Sequence, residues 1–148
     1  MLITSIPQYV SSVTNAKMDL GATTLLTLFT APSNADLNSS VVSSILVSNE
    51  DTSNASTITV TLVGSGLDDN GATASTHIYP LFKDKAVAAK TTIELLTKDL
   101  ILKSGEILKV QAADADRLFV IASVQQLSKV RASISDTNER VIAANAGY

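Results

Sequence analysis

Short runs of apolar/polar alternation recur along the chain, and no helix-period segment long enough for a βαβ unit interrupts them. The clearest lies at residues 57–62, where Ile58, Val60 and Leu62 alternate with Thr57, Thr59 and Thr61. That pattern predicts a half-buried strand with a threonine outer face. Before it, residues 40–49 carry Val41, Val42, Ile45, Leu46 and Val47, which period two reads as apolar on both faces. Such a strand is buried on both sides or sits at a contact between subunits. The polar cluster Asn49 to Asn54 between these runs predicts a turn joining them as a hairpin.

Further strands are predicted at 23–30, 77–83, 86–88, 91–96, 100–102, 107–112 and 117–127. Leu108, Val110 and Ala112 share one face of their strand. Leu118, Val120, Ala122 and Val124 do the same in the longest one, which should lie mid-sheet with Phe119 and Ile121 on its other face. Pro80 cannot donate to a ladder and marks its segment as an edge or bent strand. Residues 31–36, 64–75, 104–105 and 113–116 read as turns or loops. Strands this short and evenly spaced predict an all-β protein, a single β-sandwich, with jelly-roll and immunoglobulin-like topologies both open.

The flanks lack this alternation. Residues 1–22 contain Pro7 and a polar mix, Ser11, Ser12, Thr14 and Asn15, and read as an N-terminal arm. Residues 129–148 read as a C-terminal extension in which residues 136–145 could form a short helix capped by Asp136 and Glu139. The expected organisation is therefore an arm (1–22), a sandwich (23–128) and an extension (129–148), with either tail removable without unfolding the sandwich.

Composition fits strands. Serine and threonine make up 34 of 148 residues, and aromatics only 4% with no tryptophan, so the core must come from Leu, Ile, Val and Ala. The net charge of −3 argues against nucleic-acid binding, which needs a concentrated basic face. No apolar run approaches the ~20 residues of a membrane span. Residues 1–5 lack a basic n-region and a continuous apolar h-region, so no secretion signal is expected. With no cysteine, thiolate chemistry and disulfides are excluded, and with His77 as the one histidine, so is a multi-histidine metal centre.

No catalytic, cofactor or metal residue can be defended. His77 sits in a strand-like run with no nucleophile motif nearby. Asp68-Asp69-Asn70-Gly71 fails as a calcium loop, because Gly66 falls where the first carboxylate belongs and His77 where the closing glutamate belongs. Asp114 and Asp116 read as turn residues. Asn38-Ser39-Ser40 and Asn54-Ala55-Ser56 match a glycosylation sequon that chance supplies in a chain this rich in Ser and Asn. Gly64-Ser65-Gly66 lacks the helix start of a phosphate loop. The expectation is a protein that is not an enzyme and holds no cofactor.

The sequence phrases of residues 23–128 resemble a small β-sandwich of tailed-bacteriophage virion proteins. They run from Leu28-Phe29-Thr30-Ala31-Pro32, through Val42 to Asn49 and Ser56 to Leu62, then Thr91 to Leu96 and Leu100 to Ala112, and close on Leu118 to Leu127. The resemblance implies a non-enzymatic virion structural protein, foremost a capsid decoration (cement) protein. Neck, tail or baseplate accessory proteins and receptor- or glycan-binding fibre modules are the alternatives. It implies partners among other virion proteins, the major capsid protein or neck and tail proteins, engaged through the terminal extensions. The two-faced apolar strands would need covering by neighbours, which favours a homo-oligomer, with a trimer as the expected form. The site of residence would be the virion, after synthesis in the host cytoplasm.

Overall fold

The computed structural model describes residues 8–32, 37–64 and 78–129. Among them are nine strands and no helix: β1 (Gln8–Asp19), β2 (Leu26–Thr30), β3 (Leu37–Asn49), β4 (Ser56–Val63), β5 (Ile78–Val87), β6 (Thr92–Glu94), β7 (Leu100–Lys103), β8 (Ile107–Ala112) and β9 (Leu118–Lys129). They form two antiparallel sheets packed face to face. Sheet A runs β1-β9-β3-β6, with β7 also on β3, and sheet B runs β2-β8-β4-β5.

The pairings are nested. β1 pairs with β9, β2 with β8, β3 with β6 and β7, and β4 with β5. This is one long antiparallel double strand rolled up so that its successive segments fall in alternate sheets, the jelly-roll form of a sandwich. The topology left open by sequence is thereby decided against the immunoglobulin-like order.

It also corrects the expected hairpin between residues 40–49 and 57–62. β3 and β4 lie in different sheets, and the hairpin is β4 with β5. The Asn49–Asn54 segment is a crossover, pinned by the buried Asn49, 2% exposed. Its Nδ2 donates to the carbonyls of Asn54 and Val87, each at 3.0 Å, and its Oδ1 accepts the Asp51 N–H at 2.9 Å. A tight hairpin would leave that amide unpaired inside the protein.

Among the described residues, the fully buried apolar core between the sheets is built of Leu, Ile, Val and Ala, with Met18, Phe29 and Phe82 packed against it half-buried. β8 contributes Leu108, Val110 and Ala112, and β9 contributes Leu118, Val120, Ala122 and Val124, on the faces expected. β9 lies between β1 and β3, mid-sheet as expected, although at 12 residues it is shorter than the 13-residue β3. In β4 the alternation fails at Thr61, which is 4% exposed where the β4–β5 register shifts. The strands expected at 77–83 and 86–88 are one, β5, at the edge of sheet B. Gly105, with φ of 81°, turns the chain between β7 and β8 in a backbone region that favours glycine.

β3 is not apolar on both faces in the way period two suggests. The register slips between Val42 and Ser44, a β-bulge that shifts the inward phase from Ser40 and Val42 to Ile45, Val47 and Asn49. Three of the five apolar side chains are thus fully buried on one face. Val41 and Leu46 remain outside, Leu46 at 37% exposure.

The N-terminal arm expected for residues 1–22 is the second correction. Residues 8–19 pair with β9 from Gln8–Lys129 to Asp19–Phe119, and Leu20 is fully buried. Its inward positions, opposite Val120, Ala122 and Val124, are Met18, Ala16 and Thr14; only Met18 is a large apolar side chain, and one such position makes no alternation legible in the sequence. Removing residues 1–20 therefore strips a strand from sheet A and a residue from the core. The expected C-terminal helix lies outside the described residues, as do residues 1–7 and 65–77.

The bulge makes a prediction that strict alternation reverses. Ile45→Ala should cost about 2–5 kcal/mol in urea denaturation, whereas Leu46→Ala should cost less than about 1 kcal/mol. Equal costs would mean that the phase does not shift.

Candidate functional site

Only some of the residues singled out for chemistry fall among the described residues. His77, Asp68, Asp69, Asn70 and Gly71 lie outside the described residues, as does most of the 64–75 loop that a glycan-binding reading would use. Asp114 and Asp51 are held by one cation: Arg117 Nε stands 3.4 Å from Asp51 Oδ2, and its Nη1 stands 3.4 Å from Asp114 Oδ2. The same Nη1 donates to the Ala55 carbonyl at 3.2 Å, and Ser56 Oγ donates to Asp114 at 2.8 Å. Asp51 Oδ1 accepts the N–H groups of Ser53 and Asn54, each at 2.8 Å, an Asx-type turn. These two hydrogen bonds hold its carboxyl below the usual carboxylate range. Asp116 adopts a φ of 58° and donates its N–H to the Leu20 carbonyl at 3.0 Å. Asn54, of the second sequon, donates its amide to Asp51 at 3.2 Å. The cluster ties the β3–β4 crossover to the β8–β9 turn, and every one of these contacts is structural.

An open depression of about 220 Å³ borders it, lined by Asp19, Glu50, Asp116 and Arg117 among others. Among the described residues no group of three or more His, Cys, Asp or Glu is placed to hold a metal ion.

Glu94 reads in the sequence only as a polar strand residue, yet it closes the bulge. β7 covers β3 at residues 39–42 and β6 at residues 46–48, which leaves Ile45 between them. There Glu94 Oε1 accepts the Ile45 N–H at 2.8 Å while Leu95 donates its N–H to the Ile45 carbonyl at 2.9 Å. Glu94 also accepts from Ser44 Oγ and, at 3.0 Å, from the Leu96 N–H. Desolvation pushes its carboxyl up, but the bonds from Ser44, Ile45, Leu96 and Leu95 outweigh it, and the net shift is downward. The pair Ser43-Ser44, splitting Val42 from Ile45 by three positions, is the sequence signal that could have revealed the bulge.

One surface available to a partner is the outer face of sheet A. Direct register across four strands sets Val13 beside Gln125, Gln125 beside Val41 and Val41 beside Ile101. Val13 is 67% and Ile101 63% exposed. Next to this row Val10, 46% exposed, lies opposite Leu127. Across the middle of the face runs a hydroxyl band in which Ser123 Oγ donates to Asn15 Oδ1 at 3.1 Å and Ser43 Oγ to the Ser123 carbonyl at 3.4 Å. Beyond it Phe119 and Ile121 are half-buried beside Lys17 and Asp19, around an open depression of about 380 Å³. Such a face can bury apolar area against another protein. It offers no enclosed space in which groups converge on a reacting atom.

No protein-family model matches the chain, and no curated protein matches it in sequence. Among solved structures it is similar to a pilus protein of Bacillus endospore appendages, at 10% identity and a TM-score of 0.42, covering 86% of this chain and 90% of that one. It is also similar to a protein of the capsid of Helicobacter pylori bacteriophage KHP30, at 15% identity and a TM-score of 0.46, covering 86% and 99%. A third is a pentameric capsid protein from metagenomic phage sequences, at 18% identity and a TM-score of 0.36, covering 77% and 60%. Likenesses this distant add no argument about function, and the fold rests on the pairings described above.

Both lowered carboxyls give a pH dependence with one sign. Their stabilisation is full above the ordinary values, 4.5 for Glu94 and 3.8 for Asp51, and is lost as pH falls through the lower folded values. The melting temperature should fall on acidification across that window. Glu94→Gln should lower neutral-pH stability by about 1 kcal/mol and flatten part of the acid decline. A decline of unchanged steepness in the variant would show that Glu94 does not close the bulge as a carboxylate.

Proposed function

We propose that the chain is a non-enzymatic structural subunit of a phage virion, and within that class a decoration protein that braces the capsid shell. One observation carries this reading: the outer face of sheet A presents Val13, Val41 and Ile101 in one row with Gln125 across four registered strands, while Asp51, Asp114, Arg117 and Glu94 are tied into a crossover, a turn and the break beside β3. A surface of this kind, with the described carboxylates of the crossover bound into structural contacts, suits a part that is held by neighbours.

The jelly-roll order supports it by fold-level analogy, since capsid domains use that form, though lectins and cupins do too. The capsid and pilus proteins among its distant likenesses agree with the analogy without adding weight. The partners are other virion proteins, with the terminal segments 1–7 and 130–148 as further contacts, and copies of the chain itself. Residence in the virion follows from this reading.

Electron cryo-microscopy of phage particles purified from cells that make the chain tests it. Density fitting the sandwich on the head surface at capsid symmetry, with the row of Val13 and Ile101 covered, is the expected result. Axial density would move the protein to the neck, tail or baseplate. Density at a fibre tip with glycan bound would replace the reading by a receptor-binding one, and particles lacking the chain would end it.

A further inference from the structure

The sides of the two sheets are not protected alike. β5, at the edge of sheet B, carries Pro80, which has no N–H to offer, and Lys83 and Lys85 flank Asp84, whose φ of 50° distorts the strand. A second β5 laid antiparallel about Asp84 would set Lys83 against Lys85 of the other copy. The remaining sides are short: five residues in β2, three in β6 and four in β7. These are the devices by which sheets avoid pairing with one another.

β1 has fewer of them: its ladder with β9 slips once, between Val10 and Ser12, and Lys17 lies toward its end. It is a 12-residue edge strand without proline, and Tyr9 to Ala16 carries no charged side chain. Residues 10–15 are exposed on both faces, because the five-residue β2 beneath them is too short to cover them. A strand held by one neighbour along one side, with apolar Val10 and Val13 in water, is marginal by itself.

We propose that β1 pairs antiparallel with β1 of a second copy, about a two-fold axis near Val13, joining the two five-stranded sheets into one. The uncharged centre lets the copies approach without like-charge repulsion, and Lys17 and Asp19 stand outside it with opposite signs. The row of Val13, Gln125, Val41 and Ile101 of one copy continues into that of the other through the two Val13 side chains. Each contact is made twice, as an isologous interface requires, and the pairing closes at two copies. The trimer expected from sequence rests on strands apolar on both faces and on the terminal extensions, and a pairing through β1 closes at two copies instead. The contact concerns the free protein, so its failure leaves placement in a particle to be decided separately.

The absence of native cysteine makes the test direct. Directly opposed residues in an antiparallel pair lie about 4.5–5.5 Å apart at Cα, within disulfide reach. The full-length chain should show by light scattering a mass of about 31 kDa, twice the 15.5 kDa of one copy. Oxidised Val13→Cys should run as a covalent dimer and Lys83→Cys, on β5, should not. Val13→Lys should halve the mass while leaving the circular dichroism spectrum unchanged, and its melting temperature should lose the dependence on protein concentration that the dimer shows. A monomeric or trimeric mass for the unaltered chain overturns the proposal, the former being the outcome if the chain's own terminal segments cover β1. Failure of Val13→Cys to link, or equal linking at Lys83→Cys, also overturns it.

Discussion

Everything in this sandwich hangs from β9. It is the strand of sheet A paired on both sides over nearly its whole length, to β1 from Gln8 to Asp19 and to β3 from Leu37 to Asn49. Its inward side chains, Leu118 to Val124, sit against the sheet B core formed by Ile58, Val60, Leu108 and Val110. Because β9 comes last, sheet A cannot close until nearly the whole described chain is present. Most of its contacts join residues far apart in sequence, which places the fold among the slow-closing all-β topologies.

That constraint is met by polar groups at a few points. Asn49 and the Asp51–Arg117–Asp114 cluster fix the crossover by which β3 leaves sheet A, and the Glu50 N–H donates to the Arg117 carbonyl at 2.8 Å, beside the start of β9. Glu94 fills the break between β6 and β7 so that β3 can carry a bulge without an orphaned amide. The bulge in turn directs Ile45 and Val47 inward. None of these groups is left over for chemistry, and the outer face of sheet A sets apolar Val13, Val41 and Ile101 beside a band of hydroxyls. Structure and proposed role therefore meet at the same place, the β1 side of sheet A.

Much of the fold is legible in the amino-acid sequence because period two survives in β4, β8 and β9, where inward positions are Ile, Val, Leu and Ala. It is illegible where most inward positions are small or polar, as in β1, and where a bulge changes phase, as in β3. The crossover at Asn49 reads as a hairpin turn because a polar cluster signals a change of direction but not which sheet the next strand joins. The contact face is only half visible: Val41 stands out through its apolar run, but its alignment with Val13 and Ile101 is a matter of long-range register that no local pattern contains.

Native-state hydrogen exchange resolved by residue tests the dependence on β9 most directly. The amides of Val120 to Val124 and their partners in β3 should form the slowest class and exchange only through global unfolding, with β5 faster. If the slowest class lay in sheet B, and β9 exchanged through an opening that left β4 and β8 protected, then sheet A would not be the frame on which the protein is built.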